Sequence, residues 1–254
     1  MLRKSLMTFA VAAVFAASAF AQTADEVIEK NIQARGGREK VKSVQALRMT
    51  GKRTFGPGIE APFVVEIARP NKMHLEFVIQ GMTAVITSDG TAGWQLMPFL
   101  GKKDAEPMSD DELKSMKDEA DIDGSFVDYK DKGHTVEMLG KVDLEGAPAY
   151  KLKVTKKSGD VETLYFDADS SLLVQSEGKS TVRGQEVETI TTFGDYKEVD
   201  GGLYAFSSES KQKGAPGPGG FSMTIEKIEV NPTLAADRFG KPASLAAAAA
   251  PKPK

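Results

Sequence analysis

The sequence predicts a mainly β (α+β) fold, in which about eleven short strands follow one another in antiparallel order and only two helices interrupt them. Three observations predict this fold. Apolar and polar residues alternate along most of the 254-residue chain, turn signals separate the alternating runs, and only two segments carry apolar residues at helical spacing. Short strands at such regular intervals are typical of a sandwich or a barrel.

The clearest strands lie between residues 69 and 94. In one run the residues alternate between two sides of a strand, and one of these sides carries four apolar residues, Met73, Leu75, Phe77 and Ile79. A second run, Met82–Ser88, makes a hairpin with the first. Arg69 and Pro70 form the turn before this hairpin, since proline fixes its own φ and pushes the preceding residue into an extended conformation.

Two further turns place the neighbouring strands. Asp89 and Gly90 predict a two-residue hairpin loop after Ser88, because this pair tolerates positive φ angles, and the only tryptophan, Trp94, lies on the returning strand. Nearer the start, the glycines and proline of residues 56–58 predict a turn. The strands that this turn joins are Val44–Phe55 and Ile59–Ala68.

The first 21 residues have the pattern of a secretory leader peptide. A basic start is followed by an apolar stretch, residues 6–17, that is too short to span a bilayer comfortably. Ala19 and Ala21 provide the small residues of a cleavage site, so we expect cleavage before Gln22 and export to a bacterial periplasm. The chain has no cysteine, which excludes disulfides and lipid attachment through cysteine.

Length and charge limit the organisation and the partners. We expect one domain over residues 22–242 and a disordered tail rich in alanine, proline and lysine over residues 243–254. The formal net charge is −3, so the chain lacks the basic surface that a nucleic-acid partner requires.

Two segments are predicted to be helices. In Thr23–Arg35, Thr23 and Glu26 have the spacing of a capping box, and the stripe of apolar residues is Val27, Ile28 and Ile32. In Ser109–Glu119, Ser109 and Glu112 have the same spacing, and the apolar residues are Leu113, Met116 and Ala120. This second helix lies in a charged insertion, residues 102–132, where it could act as a lid.

The same insertion contains a faint metal signal. Asp121, Asp123 and Asp128 surround Gly124, as acidic residues do in a calcium loop, but the closing glutamate is missing. A solvated turn is therefore favoured. After the insertion the alternation resumes, and the predicted strands are Thr135–Asp143, Ala149–Thr155, Val161–Asp167, Leu172–Val182, Gln185–Tyr196, Leu203–Ser210 and Phe221–Val230.

No arrangement of residues in the sequence points to catalysis. The chain has two histidines, His74 and His134, and no nucleophile motif, zinc motif or phosphate-binding glycine loop. His74 shares a strand side with Glu76, and we expect it to be a surface residue rather than a catalytic one. The sequence therefore predicts a binding protein without a cofactor or a metal, and not an enzyme.

A binding protein of this kind needs an apolar face. Methionines are spread through the chain, and their flexible side chains suit an adaptable cavity, although each one could equally be core. The predicted ligand face consists of apolar residues in phase on neighbouring strands: Phe63, Val65, Ile67, Leu75, Phe77, Met82, Ile86, Trp94 and Leu96. The alternation alone leaves open which face of the sheet is concave.

The sequence resembles a known family at several of these positions. Arg69, Pro70 and the following asparagine, then Glu76, and then Asp89-Gly90 with Trp94, are similar to the motifs of LolA-like and LolB-like proteins, the periplasmic lipoprotein carriers and their outer-membrane receptors. The order of the later strands is similar too, so the resemblance covers nearly the whole chain after the leader. Arg69, Pro70, Asp89 and Gly90 serve first as turn residues in this reading.

The resemblance implies a single curved antiparallel sheet that forms an unclosed half-barrel, with helices over an apolar concave face. It also implies a periplasmic carrier of lipoproteins or other amphiphiles, with a lipidated protein or a lipid as ligand and an inner-membrane or outer-membrane protein as a partner. A sensory or protein-binding module of the cell envelope on the same scaffold is the alternative. We expect a monomer.

Overall fold

The structure, a computed structural model, describes residues 22–55, 58–182, 185–214 and 220–244. The predicted leader peptide with Ala19 and Ala21, residues 56–57, residues 183–184, most of the glycine-proline loop at 214–220 and the end of the predicted tail lie outside these ranges. Within the described ranges, no helix combines the length and the apolar character that crossing a bilayer needs.

The described chain folds into one antiparallel sheet of 13 strands. The strands are β1 (Ala46–Phe55), β2 (Ile59–Ala68), β3 (Lys72–Ile79), β4 (Met82–Ser88), β5 (Gly93–Leu96), β6 (Glu106–Pro107), β7 (Thr135–Leu144), β8 (Ala147–Thr155), β9 (Val161–Asp167), β10 (Leu173–Val182), β11 (Gln185–Val199), β12 (Gly202–Gln212) and β13 (Gly220–Val230).

Each strand pairs with its neighbour in sequence except at two places, the seam and the opening. At the seam, β1 pairs with β13, and Leu47 lies opposite Val230. At the opening, β6 and β7 are the two unpaired edges of the sheet. The sheet is therefore curved but unclosed, which confirms the predicted half-barrel.

Within the described ranges, three α-helices accompany the sheet: α1 (Ala24–Ala34), α2 (Arg38–Ser43) and α3 (Asp110–Glu119). The predicted capping boxes begin α1 and α3. The Thr23 backbone N–H donates to Glu26 Oε2 over 2.8 Å, and the Ser109 backbone N–H donates to Glu112 Oε2 over 2.8 Å. These contacts satisfy backbone groups that a helix start leaves free.

Helices α1 and α3 pack on the same face of the sheet, which we call the inner face. Helix α1 covers β8 and β9, where Val27 and Ile32 join a cluster with Leu152, Leu164 and Phe166. Helix α3 covers the opposite half, where Met116 joins a cluster with residues of β2, β3 and β4. The two helices therefore cover two separate apolar regions of one curved sheet.

The structure corrects several predictions about the elements. The loop between β4 and β5 has four residues and not two, because the Asp89 Oδ1 accepts backbone hydrogen bonds from Thr91 at 2.7 Å and Ala92 at 2.9 Å, which stabilises a longer turn. The sequence analysis also missed α2 and β6. Helix α2 has 6 residues and one buried apolar residue, Val41, so its periodic pattern is weak.

Candidate functional site

The candidate ligand site is the apolar region under α3. Its buried members share the inner face of β2, β3 and β4 with two residues of the α3 segment, and they are Ala61, Phe63, Val65, Ile67, Met73, Leu75, Phe77, Ala84, Met116 and Ala120. Partly exposed apolar residues pack against them, and they are Met49, Phe55, Ile79, Ile86, Met97, Phe99, Met108, Ile122, Met223 and Ile225. We call this whole set the apolar patch.

A row of aromatic rings crosses the apolar patch. The ring centroids of Phe55 and Phe77 are 5.7 Å apart, and those of Phe77 and Phe99 are 6.1 Å apart. At the β1 end of the row, the Arg53 Cζ lies 4.9 Å from the Phe55 centroid and 3.9 Å from the Phe221 centroid. A cation over aromatic faces at these distances is attracted to them.

The structure brings together seven of the nine residues predicted for the ligand face. Phe63, Val65, Ile67, Leu75, Phe77 and Ile86 belong to the apolar patch. Met82 shares its face, because it lies opposite Ile79 in the register of β3 and β4.

The other two predicted ligand residues lie on the opposite face, which we call the outer face. Gln95 is the residue of β5 that lies opposite Ile86, so Trp94 and Leu96 point the other way. They pack with Val85 and Ala105 in a small cluster of their own. The prediction that they share the face of Phe77 is therefore wrong. A two-residue loop would place Trp94 opposite Val85 and the observed four-residue loop places it opposite Thr87, and both of these β4 residues face outward.

The family turn residues lie together at one end of the sheet. The Arg69 guanidinium donates to both oxygens of Asp123, over 2.7 and 2.8 Å, and to the Val44 carbonyl over 2.8 Å. Pro70 follows a cis peptide bond, and a Cβ on Gly90 would lie 3.1 Å from the Pro70 oxygen. The four turn residues therefore stabilise this end of the sheet, and none of the contacts described here involves the apolar patch.

Asp123 is a buried carboxylate, although the sequence predicts a solvated turn at its position. Its exposed fraction is 4%. Burial alone would raise the pKa of Asp123, but hydrogen bonds from Arg69 and the charge of Lys42 hold it below its ordinary value. Asp121 pairs with Lys132, and Asp128 pairs with Arg38 and Lys42. No group of acidic or histidine side chains that could hold a metal ion occurs in the described part of the chain.

Helix α3 is tied to both sides of the open sheet by polar contacts. On the β5 side, the Gln95 Nε2 donates to Glu112 Oε1 over 3.3 Å. On the other side, the Lys156 Nζ donates to Asp118 Oδ2 over 2.7 Å, and Lys114 pairs with Asp160 at 2.5 Å. A polar pocket of about 200 Å³ opens beside the helix, between these ion pairs and β10. The helix thus spans the hollow of the half-barrel.

Two charged residues of the inner face were missed by the sequence analysis. Arg53 occupies a position of β1 in phase with Met49 and Phe55, and this departure from an apolar pattern was the available signal. Glu119 ends α3 near enough to Arg53 for their charges to interact. Glu119 is exposed, so water screens this interaction.

The outer face carries a buried network of charges. Glu66 accepts hydrogen bonds from Arg48 over 2.7 Å and from Arg238 over 2.5 Å, and Arg238 also pairs with Glu76 at 2.8 Å. The His74 Nε2 lies 2.9 Å from Glu76. His74 is therefore buried and not a surface residue, because the short turn Ala236–Phe239 covers this part of the sheet, a long-range contact that strand alternation does not reveal.

A scan against protein-family models finds no match, and a comparison with curated proteins finds none either. Three solved structures match most of the chain. A LolA superfamily protein from Nitrosomonas europaea has a TM-score of 0.57 and 13% identity, with 86% of this chain and 98% of that chain covered. A DUF1329 family protein from Desulfovibrio piger has a TM-score of 0.57 and 11% identity, with 86% and 97% covered.

The third match is a putative outer membrane lipoprotein-sorting protein domain from Vibrio parahaemolyticus, with a TM-score of 0.56, 13% identity, and 85% and 97% of the two chains covered. Identities this low establish the fold alone. The protein has an open half-barrel fold with helices over one face. That fold is the LolA-like fold, so the resemblance found in the sequence is confirmed at the level of structure.

Proposed function

We propose that the protein binds the acyl chains of a lipidated protein, or another amphiphile, on the apolar patch and carries it in the periplasm without catalysis. The observation that supports this proposal is a difference in side-chain exposure between the two halves of the inner face. Under α1, the side chains of Leu152, Val154 and Phe166 have 0% exposure. Under α3, Phe55 and others in the apolar patch remain partly exposed. Partly exposed apolar residues also border the α1 half, but they are fewer, six against ten, so the α3 half leaves more apolar surface for a ligand.

The free energy of such binding comes from the hydrophobic effect. Each methylene group moved out of water contributes roughly 0.8 kcal/mol, so a chain of ten or more carbons binds strongly even to an imperfect surface. Methionines suit this surface because they adapt to chains of different shape. The partly exposed set includes Met49, Met97, Met108 and Met223.

Release requires a cover that opens. Helix α3 contacts the sheet through few apolar residues, Met116 and Leu113 among them, and its remaining contacts are polar. A helix held in this way can move without breaking the sheet beneath it. The fold shared with a putative lipoprotein-sorting domain supports a lipidated protein as cargo. The leader-like first residues support export, and delivery then calls for an inner-membrane or outer-membrane partner.

Binding of a fluorescent acyl probe, with and without changes on the two faces, tests this proposal. Phe77→Glu and Ile86→Glu put a charge on the apolar patch, and we expect each to weaken probe binding by at least tenfold, because the charge must stay hydrated. Ile86 is only partly buried, so we expect Ile86→Glu to fold even if Phe77→Glu does not. Val78→Glu is the matched control, since Val78 is partly buried in β3, the strand of Phe77, but faces outward.

Equal probe affinity in folded Ile86→Glu, Val78→Glu and wild type would overturn the proposal. A wild-type protein that takes up no acyl probe would overturn it as well, and would favour a sensory or protein-binding module of the cell envelope. Thermal unfolding of each variant separates a loss of fold from a loss of binding.

A further inference from the structure

Arg53 brings a positive charge to the inner face, beside the rings of Phe55 and Phe221. Among the described residues, no carboxylate lies within 4.0 Å of its guanidinium, and its buried Nε has no hydrogen-bond partner. Glu119 acts on it only at longer range. Most arginines that are withdrawn from water are paired, because an unpaired charge in apolar surroundings costs several kcal/mol. Phe55 and Phe221 offset part of this cost through their ring faces.

Arg53 also lies at a border on the inner face. On one side of it is the aromatic row that runs from Phe55 towards Phe99. On the other side, next to Met223, the inner face of β12 and β11 carries the ring of Phe193 and several hydroxyl groups. These belong to Ser208, Ser210 and Thr191, of which the last two are hydrogen-bonded to each other at 2.9 Å.

An amphiphile also has an apolar part and a polar part, as the inner face has on the two sides of Arg53. Its tail requires apolar surface, and its head requires polar groups. Arg53 is partly exposed overall, so part of the side chain remains accessible to an incoming ligand. A planar guanidinium donates paired hydrogen bonds to a carboxylate or a phosphate better than to any neutral head.

We infer that Arg53 is the head-group anchor of the site, and that the ligand is an anionic amphiphile whose carboxylate or phosphate binds the guanidinium while its tail lies along Phe55, Phe77 and Phe99. This inference rests on the proposed function. It adds the chemical class of the ligand and its direction in the site. Both anions present oxygen atoms to the same donors, so only the binding test distinguishes a carboxylate head from a phosphate head.

The test compares four single-chain ligands of equal tail length: dodecanoate, dodecyl phosphate, dodecanol and dodecyl maltoside. Each competes with the fluorescent acyl probe at pH 8 and constant salt, below its micelle concentration. For the wild type we expect the better of the two anions to bind at least tenfold more tightly than both neutral ligands, because a charge-assisted hydrogen bond in a partly dry site is strong. The ranking of the two anions identifies the head.

Arg53→Gln should remove this preference and leave the affinity for dodecanol within about twofold of the wild type, since the tail contacts remain. Arg53→Lys should keep part of the preference, because lysine retains the charge but not the fork of donors. Arg48→Gln is the control, because Arg48 lies on the outer face and pairs with Glu66 and Glu229. It should bind every ligand as the wild type does.

An unchanged preference in folded Arg53→Gln would overturn the inference, and so would equal wild-type affinity for anionic and neutral ligands. A drop in melting temperature with an unchanged ranking would show that Arg53 only stacks between rings. The wild-type comparison needs no variant, so it decides the matter even where Arg53→Gln fails to fold. Failure of all four ligands to bind would instead overturn the proposed function itself.

Discussion

Asp123 shows how a single buried carboxylate holds distant segments together. Arg69 comes from the turn between β2 and β3, Lys42 comes from α2, and Asp123 follows α3, so their contacts join three segments at one end of the sheet. Removal of one partner from a buried ion pair leaves the other charge unpaired, which typically costs roughly 3 kcal/mol or more. This cluster is therefore a test of stability and not of ligand binding.

The first prediction concerns acid. The pKa of Asp123 is below its ordinary value, so its contribution to stability is complete above the pKa of a free aspartate, near 4, and is lost as the pH falls through the lower folded value. Asp123→Asn should lower the free energy of unfolding at pH 7 by roughly 3 kcal/mol or more. It should also flatten the fall of stability below about pH 4.

Urea unfolding across this pH range measures both effects. Asp131→Asn is a suitable control, because Asp131 is exposed and makes no ion pair among the described residues. A wild-type acid profile that stays unchanged in Asp123→Asn would contradict the assignment.

The second prediction concerns the single tryptophan. Trp94 packs with Val85, Leu96 and Ala105 on the outer face, away from the apolar patch. A ligand on the inner face should therefore leave the wavelength of its emission maximum unchanged, while the fluorescence of an acyl probe changes. A spectral shift of Trp94 that saturates together with probe binding would show that the ligand occupies the outer face.

At the scale of residues, strand alternation predicted much of the apolar patch on β2, β3 and β4 but not its charges. Phe63, Leu75 and Ile86 follow from period 2 within long strands. Trp94 was misplaced because its phase has to be followed across the turn, and loops of two and of four residues both leave it on the outer face. The burial of His74 could not be predicted either, since the turn that covers it comes from the far end of the chain.

At the scale of elements, the proposed function requires α3 to move before a ligand can leave. The third prediction follows from two ion pairs that hold this helix, Lys114–Asp160 and Lys156–Asp118. The double change Lys114→Gln and Lys156→Gln should speed dissociation of an acyl probe about fivefold or more. Two such pairs contribute roughly 1 kcal/mol or more together, and 1 kcal/mol corresponds to about fivefold in rate.

Stopped-flow displacement of the probe measures this rate. Lys227→Gln provides the control, because Lys227 pairs with Glu229 away from α3. Equal dissociation rates in all three proteins would mean that α3 does not limit release.

The fourth prediction concerns the seam between β1 and β13. A Cβ on Gly51 would lie 2.1 Å from the Thr224 oxygen, whereas a Cβ on Gly178 in β10 meets nothing within 4 Å. Gly51→Val should therefore destabilise the fold by roughly 3 kcal/mol or more, while Gly178→Val should change stability by less than about 1 kcal/mol. Similar unfolding midpoints for the two variants would contradict the pairing at the seam.

At the scale of the whole molecule, the two halves of the inner face differ in how much apolar surface they leave exposed. The sequence predicted the strands, their antiparallel order and both capped helices, because hairpins, turns and caps are local signals. It did not predict the seam from its residues, since Leu47 and Val230 are far apart in the chain. Nor did it predict which half leaves more apolar surface exposed, because that depends on how α1 and α3 pack.

Native mass spectrometry of the protein, expressed from its full sequence in a bacterium and purified without detergent, tests the central claim most directly. We predict a non-covalent adduct with the mass of an acylated molecule, which organic extraction removes and added dodecanoate replaces. The Ile86→Glu protein should carry much less of it. A bare mass for the wild type, unchanged after incubation with dodecanoate or an acyl probe, would contradict the claim that the inner face binds amphiphiles.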